Sequence, residues 1–436
     1  MTERLLQFIW QFQHFNKSEL VTVNSEALQI LSQGQLNSNQ GPDFTNGKIS
    51  IEGTQLIGNI ELHINSSDWK KHNHSTDTNY SNIVLHVVWH NDEEIKDING
   101  VSLPTLELQN LVPKVLLQRY ENLMLSQEFV PSQQHLPALS ALAWTAWKER
   151  LAAERLQRKS IIVLENLKLA NNHWEEMFWW MLTRNFGTKV NADAFENIAK
   201  SISINFLAKH KNQIHQLEAL LLGQAGFLDQ SFDEDYPQLL KREHLFLQKK
   251  YKLKPSTVKP FLLRMRPANF PTIRLAQLAM LVHQSSHLFS KIKETASLAV
   301  IKDFLNVTAN DYWHYHYFFD EPSEFKPKQL GSQMTDNIII NTVVPVLFAY
   351  GTYTSDEQFN NKAVAWLAEM KPEINVITKH WQSFGVSNSS ALDSQALIEL
   401  KNNYCNSKRC LECAVGNTIL KAEAKTPENL HHRPLH

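Results

Sequence analysis

The apolar pattern of this 436-residue chain changes period at about residue 112. Before that point apolar and polar residues alternate, as they do on strands whose successive side chains point to opposite faces. After it apolar residues recur at i, i+3 and i+4, the spacing that gives a helix one buried face. The change predicts an α+β protein in three parts. A small N-terminal α/β domain with a mixed sheet spans 1–110, a large all-helical domain spans 111–400, and a cysteine-bearing tail spans 401–436. Eleven Trp and 22 Phe against 13 Gly suit large helix–helix cores with few tight turns.

In the first part, residues 1–14 read as a helix with Leu5, Phe8, Ile9 and Phe12 on one face. Strand-like runs follow at 20–23 and 28–31, and 48–52 with 55–64 reads as a hairpin around Gly53. In the second hairpin strand Ile60, Leu62 and Ile64 share one face, and Asn59, Glu61 and His63 share the other. A loop or short helix covers 66–81, and strands are expected at 82–90 and 103–109. Helical spacing covers 112–125, 138–169, 173–185 and 192–207, with Asn191 as a plausible N-cap of the last. Further helices are expected up to 390–404.

Formal net charge is −1, so any nucleic-acid contact must come from a local patch. The N-terminus lacks the basic and apolar regions of a signal peptide. No apolar run approaches the roughly 18 residues of a membrane span; the most apolar stretch, 338–350, is interrupted by Asn341 and Pro345. All three cysteines lie between positions 405 and 413, which argues against a disulfide framework. A reducing, cytoplasmic setting without membrane contact is the expectation.

Gly41-Pro42-Asp43 and Glu61-Leu62-His63 carry the clearest chemical pattern. A carboxylate at the start of one hairpin strand and one within its neighbour can converge on a divalent ion. Strand alternation points residue 63 the same way as residue 61. The two motifs resemble the PD-(D/E)xK nuclease signature, and the expected element order resembles that restriction-endonuclease-like core. The resemblance implies Asp43 and Glu61 as ligands of Mg²⁺ or Mn²⁺, with His63 where that family usually has lysine. Lys70 or Lys71 could supply the missing cation. A purely structural role for the turn and strand stays open.

His63, His72, His74, His86 and His90 fall close together, and His63, His72 and His86 could centre a different metal hydrolase. His74 and His90 read as ordinary packing. Cys405, Cys410 and Cys413 could hold Zn²⁺ or an iron–sulfur cluster, with His431 or His432 completing a zinc set. A terminal cysteine staple in some PD-(D/E)xK nucleases uses four cysteines, one more than this chain has. Lys249, Lys250, Lys252, Lys254, Arg264, Arg266 and Arg274 form the best local candidate for a nucleic-acid surface.

Several stretches, among them GNIELHINSSDWKKHNH, RPANFPTIRLAQLA and YCNSKRCLECAVG, together resemble a bacterial family catalogued only as a domain of unknown function. That resemblance runs over nearly the full length and implies no activity. The leading expectation is a metal-dependent nuclease or a nuclease-derived nucleic-acid-binding protein. A non-catalytic helical scaffold or adaptor and the histidine-centred hydrolase remain open beside it.

Overall fold

A computed structural model of the chain describes residues 1–422 apart from Ser38, 98–99, Pro137, 263–264 and Ser286, and describes Ser75 by its backbone alone. The protein is α+β and divides into two compact units. The first comprises Met1–Thr145, Phe384–Val386 and the chain from Leu400 onward; the second comprises Ala146–Ser383 and Ser387–Glu399.

The first unit opens with α1 (Glu3–Gln11), whose Thr2 side chain caps the Leu5 N–H. Its apolar face, Leu5, Leu6, Phe8, Ile9 and Trp10, is buried. Six strands follow: β1 (Leu28–Ser32), β2 (Gln35–Leu36), β3 (Phe44–Ile51), β4 (Thr54–Asn65), β5 (Ile83–His90) and β6 (Thr105–Glu107). The short helix α2 (Asp68–Lys71) and two 3₁₀ turns lie between β4 and β5. The order across the sheet is β1-β3-β4-β5-β6, with β2 also paired to β3. The β1–β3–β4 ladders are antiparallel, whereas β4–β5 and β5–β6 are parallel. The expected run at 20–23 makes only a single bridge, Val21 to Ala27.

The β3–β4 hairpin turns on Glu52 at φ +48 and Gly53 at φ +81. Positive φ at both central residues is the twist-matched two-residue turn that glycine favours. At Gly58 in β4, an added Cβ would stand 2.7 Å from the Asn82 carbonyl oxygen, so only glycine lets the chain approach this closely. Chain registration then places Glu61 opposite His86 and His63 opposite Val88. A further helix of this unit, α3 (Lys114–Leu125), follows the sheet.

The second unit is helical. After α4 (Ala141–Leu169) come α5 (Trp174–Phe186), α6 (Thr188–Ser201), α7 (Ile204–Lys209), α8 (Ile214–Gln224), α9 (Asp235–Tyr251) and α10 (Pro271–Gln284). Its core includes Trp179, Phe186, Leu220, Leu275 and Trp313. The helix expected at 192–207 is two helices. The first ends at Ser201, and Ser203 caps the second, its hydroxyl accepting from Asn205 N–H at 3.3 Å.

Asn191 is not an N-cap. It lies inside α6 and is buried, and its carboxamide grips the backbone of Phe261 from both sides. Asn191 Nδ2 donates to the Phe261 carbonyl at 3.0 Å, and Asn191 Oδ1 accepts from Phe261 N–H at 2.7 Å. A buried asparagine satisfied by remote backbone has no need of the helix end.

The apolar stretch at 338–350 forms a helix with a π-turn at Ile339–Val343. There the Val344 N–H bonds the Ile339 carbonyl, five residues back, just ahead of Pro345. Proline has no N–H to give to the carbonyl four residues before it, and the widened turn accommodates that loss. No described helix is long and apolar enough to cross a membrane.

Candidate metal centre

Asp43 stands immediately before β3, where the β3–β4 ladder ends. Its N–H donates to Glu61 Oε2 at 2.9 Å, and its own Oδ2 accepts from Leu62 N–H at 3.1 Å. The two acids are therefore clamped reciprocally through each other's strand. From α1, Gln7 Nε2 donates to Asp43 Oδ1 at 2.8 Å. Gln7 was invisible to sequence reasoning, because nothing local ties residue 7 to residue 43.

The histidines gather on the same side. Glu61 Oε1 lies 3.7 Å from His63 Nε2 and 3.5 Å from His74 Nε2. His63 Nε2 lies 3.2 Å from His72 Nδ1. One nitrogen each of His63, His72 and His74 falls within 4.8 Å of the others. Ligands held at about 2.1 Å around a tetrahedral ion are about 3.4 Å apart, so His63, His72 and His74 have the spacing to share one ion, with the Glu61 carboxylate beside His63 and His74.

His86 stands behind them on β5, with Nε2 2.9 Å from His63 Nδ1. A hydrogen bond on the far nitrogen of a ligand imidazole fixes its tautomer and leaves the near nitrogen bare for metal. Trp69, 1% exposed, packs edge-on against His63, His74 and His86. His74 also stacks on Tyr80 with ring centroids 3.8 Å apart. The expectation that His74 is ordinary packing misses its contact with Glu61. His90 sits at the exposed strand end, 3.2 Å from Glu107.

Burial sets the charge state. It pushes His63 down to about 2, helped by the neighbouring His86 and His74, and it pushes His86 down to about 3 and His74 to about 4. These imidazoles are neutral, the form that binds metal. Burial raises Asp43 and Glu61, and the charge of Asp43 raises Glu61 further.

Lys70 pairs with Glu93, and Lys71 pairs with Asp68 at 2.6 Å, so both candidate cations are engaged at the surface. Cys405, Cys410 and Cys413 are free thiols that line one small hollow with Tyr404 and Gly416. Burial raises all three, Cys410 to about 12, so they stand protonated. Among the described residues the histidine group is the one that meets metal-ligand spacing. His431 and His432 lie outside the described residues, as does Arg264.

In the second unit Lys249 and Lys250 occupy the exposed last turn of α9, and Lys252 caps it at φ +51. Lys254 and Arg266 are exposed, whereas Arg274 is buried in α10.

A family described as a protein of unknown function, DUF2851, matches residues 3–376. The chain belongs to DUF2851. The match covers the sheet, the metal-like cluster and most of the helical unit. No curated protein and no solved structure matches this DUF2851 chain.

Proposed function

We propose that the first unit is a divalent-metal-dependent phosphodiesterase acting on nucleic acid. One observation carries this reading: His63, His72 and His74 converge at ligand spacing, with Glu61 against two of them and the clamped Asp43 beside it. The order helix, antiparallel strands, short helix and parallel strand, with one acid just before β3 and the other on adjacent β4, supports the likeness to PD-(D/E)xK nucleases. Within the second unit, exposed Lys249, Lys250, Lys252 and Lys254 offer a separate phosphate-neutralising patch.

A bound ion would supply a Lewis acid for a phosphoryl oxygen and an acidified water. Imidazoles in the donor set favour Mn²⁺ or Zn²⁺ over Mg²⁺, which prefers oxygen. His86 orients His63, and Asp43 holds Glu61 in place through its backbone N–H. The chain should nick plasmid or single-stranded DNA with Mn²⁺ and lose this activity in EDTA, in Asp43→Ala and in Glu61→Ala. Unchanged cleavage in both variants sinks the assignment.

The three imidazoles favour one other reading, a hydrolase of a different ester or amide. Stoichiometric zinc with DNA left intact and a carboxylic ester cleaved would select it.

Two outcomes concern the ion itself. Mn²⁺ or Zn²⁺ at about a hundred times its Kd should stabilise the metal-stripped protein by about 2.7 kcal/mol. His74→Ala should erase that gain, as read by the thermal midpoint with and without chelator. His86→Leu should weaken binding about 10–100-fold while the fold persists, read by competition with a chelating dye. His86 Nδ1 has no partner, so leucine leaves nothing new unsatisfied on that side.

A further inference from the structure

Within the second unit a cavity of about 760 Å³ opens among α4, α5, α6, α10 and the 332–343 segment. Small-ligand sites run from roughly 300 to 1,000 Å³. Six carboxamides line its wall beside apolar side chains such as Ile162 and Trp180: Asn166, Asn185, Asn269, Gln333, Asn337 and Asn341.

The charged part of the wall is three cations, Arg184, Lys189 and Arg274, against one acid, Glu196. Arg184 is answered by Asp193 at 2.6 Å and Glu196 at 2.5 Å. Arg274 is not. It is 6% exposed, with Nη1 donating to Gln277 Oε1 at 3.0 Å and Nη2 to Asn269 Oδ1 at 2.7 Å. Its Nε–H has no acceptor, and among the described residues no carboxylate pairs with it. Burial lowers it only to about 10, so it stays charged at neutral pH. A buried guanidinium with amide acceptors alone is an uncompensated charge.

Two local features reinforce the positive character and the cost of the arrangement. The first turn of α6 contributes Thr188 and Lys189 to the wall, and Gly187 before it offers no side-chain cap, so helix N–H groups add positive potential. Thr188 sits at φ +55, a strained conformation for a β-branched residue. Asn341 and Thr342 come from the π-turn, a distortion that recurs at functional sites.

We propose that this cavity binds a small phosphomonoester whose phosphate pairs with Arg274 and whose polar body contacts the carboxamides. Guanidinium groups grip phosphate through paired N–H donors, and a neutral ligand would leave the charge unanswered. The proposal is independent of the metal centre in the first unit.

The test is calorimetric titration of the full chain with AMP and with ribose 5-phosphate, with inorganic phosphate as competitor. The expected result is one-to-one binding that phosphate displaces and that Arg274→Gln weakens at least about tenfold. Lys189 is exposed, so Lys189→Glu tests the same wall without disturbing the core and should weaken binding several-fold. If Arg274→Gln does not fold, Lys189→Glu decides. Tighter binding of a 5′-phosphorylated dinucleotide than of AMP identifies strand ends as the source, and the reverse identifies free metabolites. No binding of any phosphomonoester at millimolar concentration, or equal affinity in wild type and Lys189→Glu, overturns the proposal.

Discussion

Glu61→Gln should lower divalent-dependent cleavage by about a thousandfold, or about 4 kcal/mol of transition-state stabilisation. Glutamine keeps the volume and keeps an oxygen to accept the Asp43 N–H, which Glu61 Oε2 accepts at 2.9 Å. What it loses is the negative charge that Glu61 would bring to an ion held beside His63 and His74. The fold should not suffer. Glu61 is 5% exposed, and a neutral amide is cheaper to bury than a carboxylate. In EDTA the thermal midpoint of the variant should equal or exceed that of wild type. A variant that folds and still cleaves within tenfold of wild type would remove Glu61 from the chemistry.

The second large effect lies in the helical unit. Glu218 on α8 is fully buried, and its Oε2 accepts from the Tyr236 hydroxyl at 2.8 Å. Burial pushes its carboxyl from the ordinary 4.5 up to about 7, against the pull of Tyr236. Below pH 4.5 both the folded and unfolded carboxyls hold their proton, and folding incurs no ionisation penalty. Between 4.5 and about 7 the unfolded carboxyl ionises while the folded one stays protonated, so stability falls as pH rises. At about 1.4 kcal/mol for each tenfold change in proton affinity, the loss is about 3 kcal/mol. Glu218→Gln has no such proton to lose. Its advantage over wild type should grow by about 3 kcal/mol across that window, read as the difference between the two unfolding curves at each pH. A difference that stays flat with pH would show that Glu218 ionises as freely folded as unfolded.

Alternation along β4 was enough to place Glu61 and His63 on one face in the sequence, because period two is a local property. The Pro-Asp turn before β3 marked Asp43 for the same reason. His74 was opaque. It sits in a 3₁₀ turn (His74–Thr76) with no period, and only the parallel β4–β5 pairing brings that segment over Glu61. His86 was half legible: alternation gave its face, but its bond to His63 depends on which strand lies beside β4. Arg274 was misleading in the other direction. A run of basic residues suggests one solvated surface, yet residue 274 is buried in the first turn of α10 while Lys249 and Lys250 lie in the exposed last turn of α9. Charge density along a chain carries no information about burial.

Exposure is uneven within the candidate metal centre. Glu61, His63 and His74 are buried, whereas His72 is exposed and follows the four-residue helix α2. An ion arriving from solvent therefore meets His72 first and the sheet residues afterwards. Loading rate and retention then belong to different parts of the chain. On the proposed reading, the surface segment after α2 would govern how fast the site fills from a dilute pool, and the strands would govern how long it stays filled.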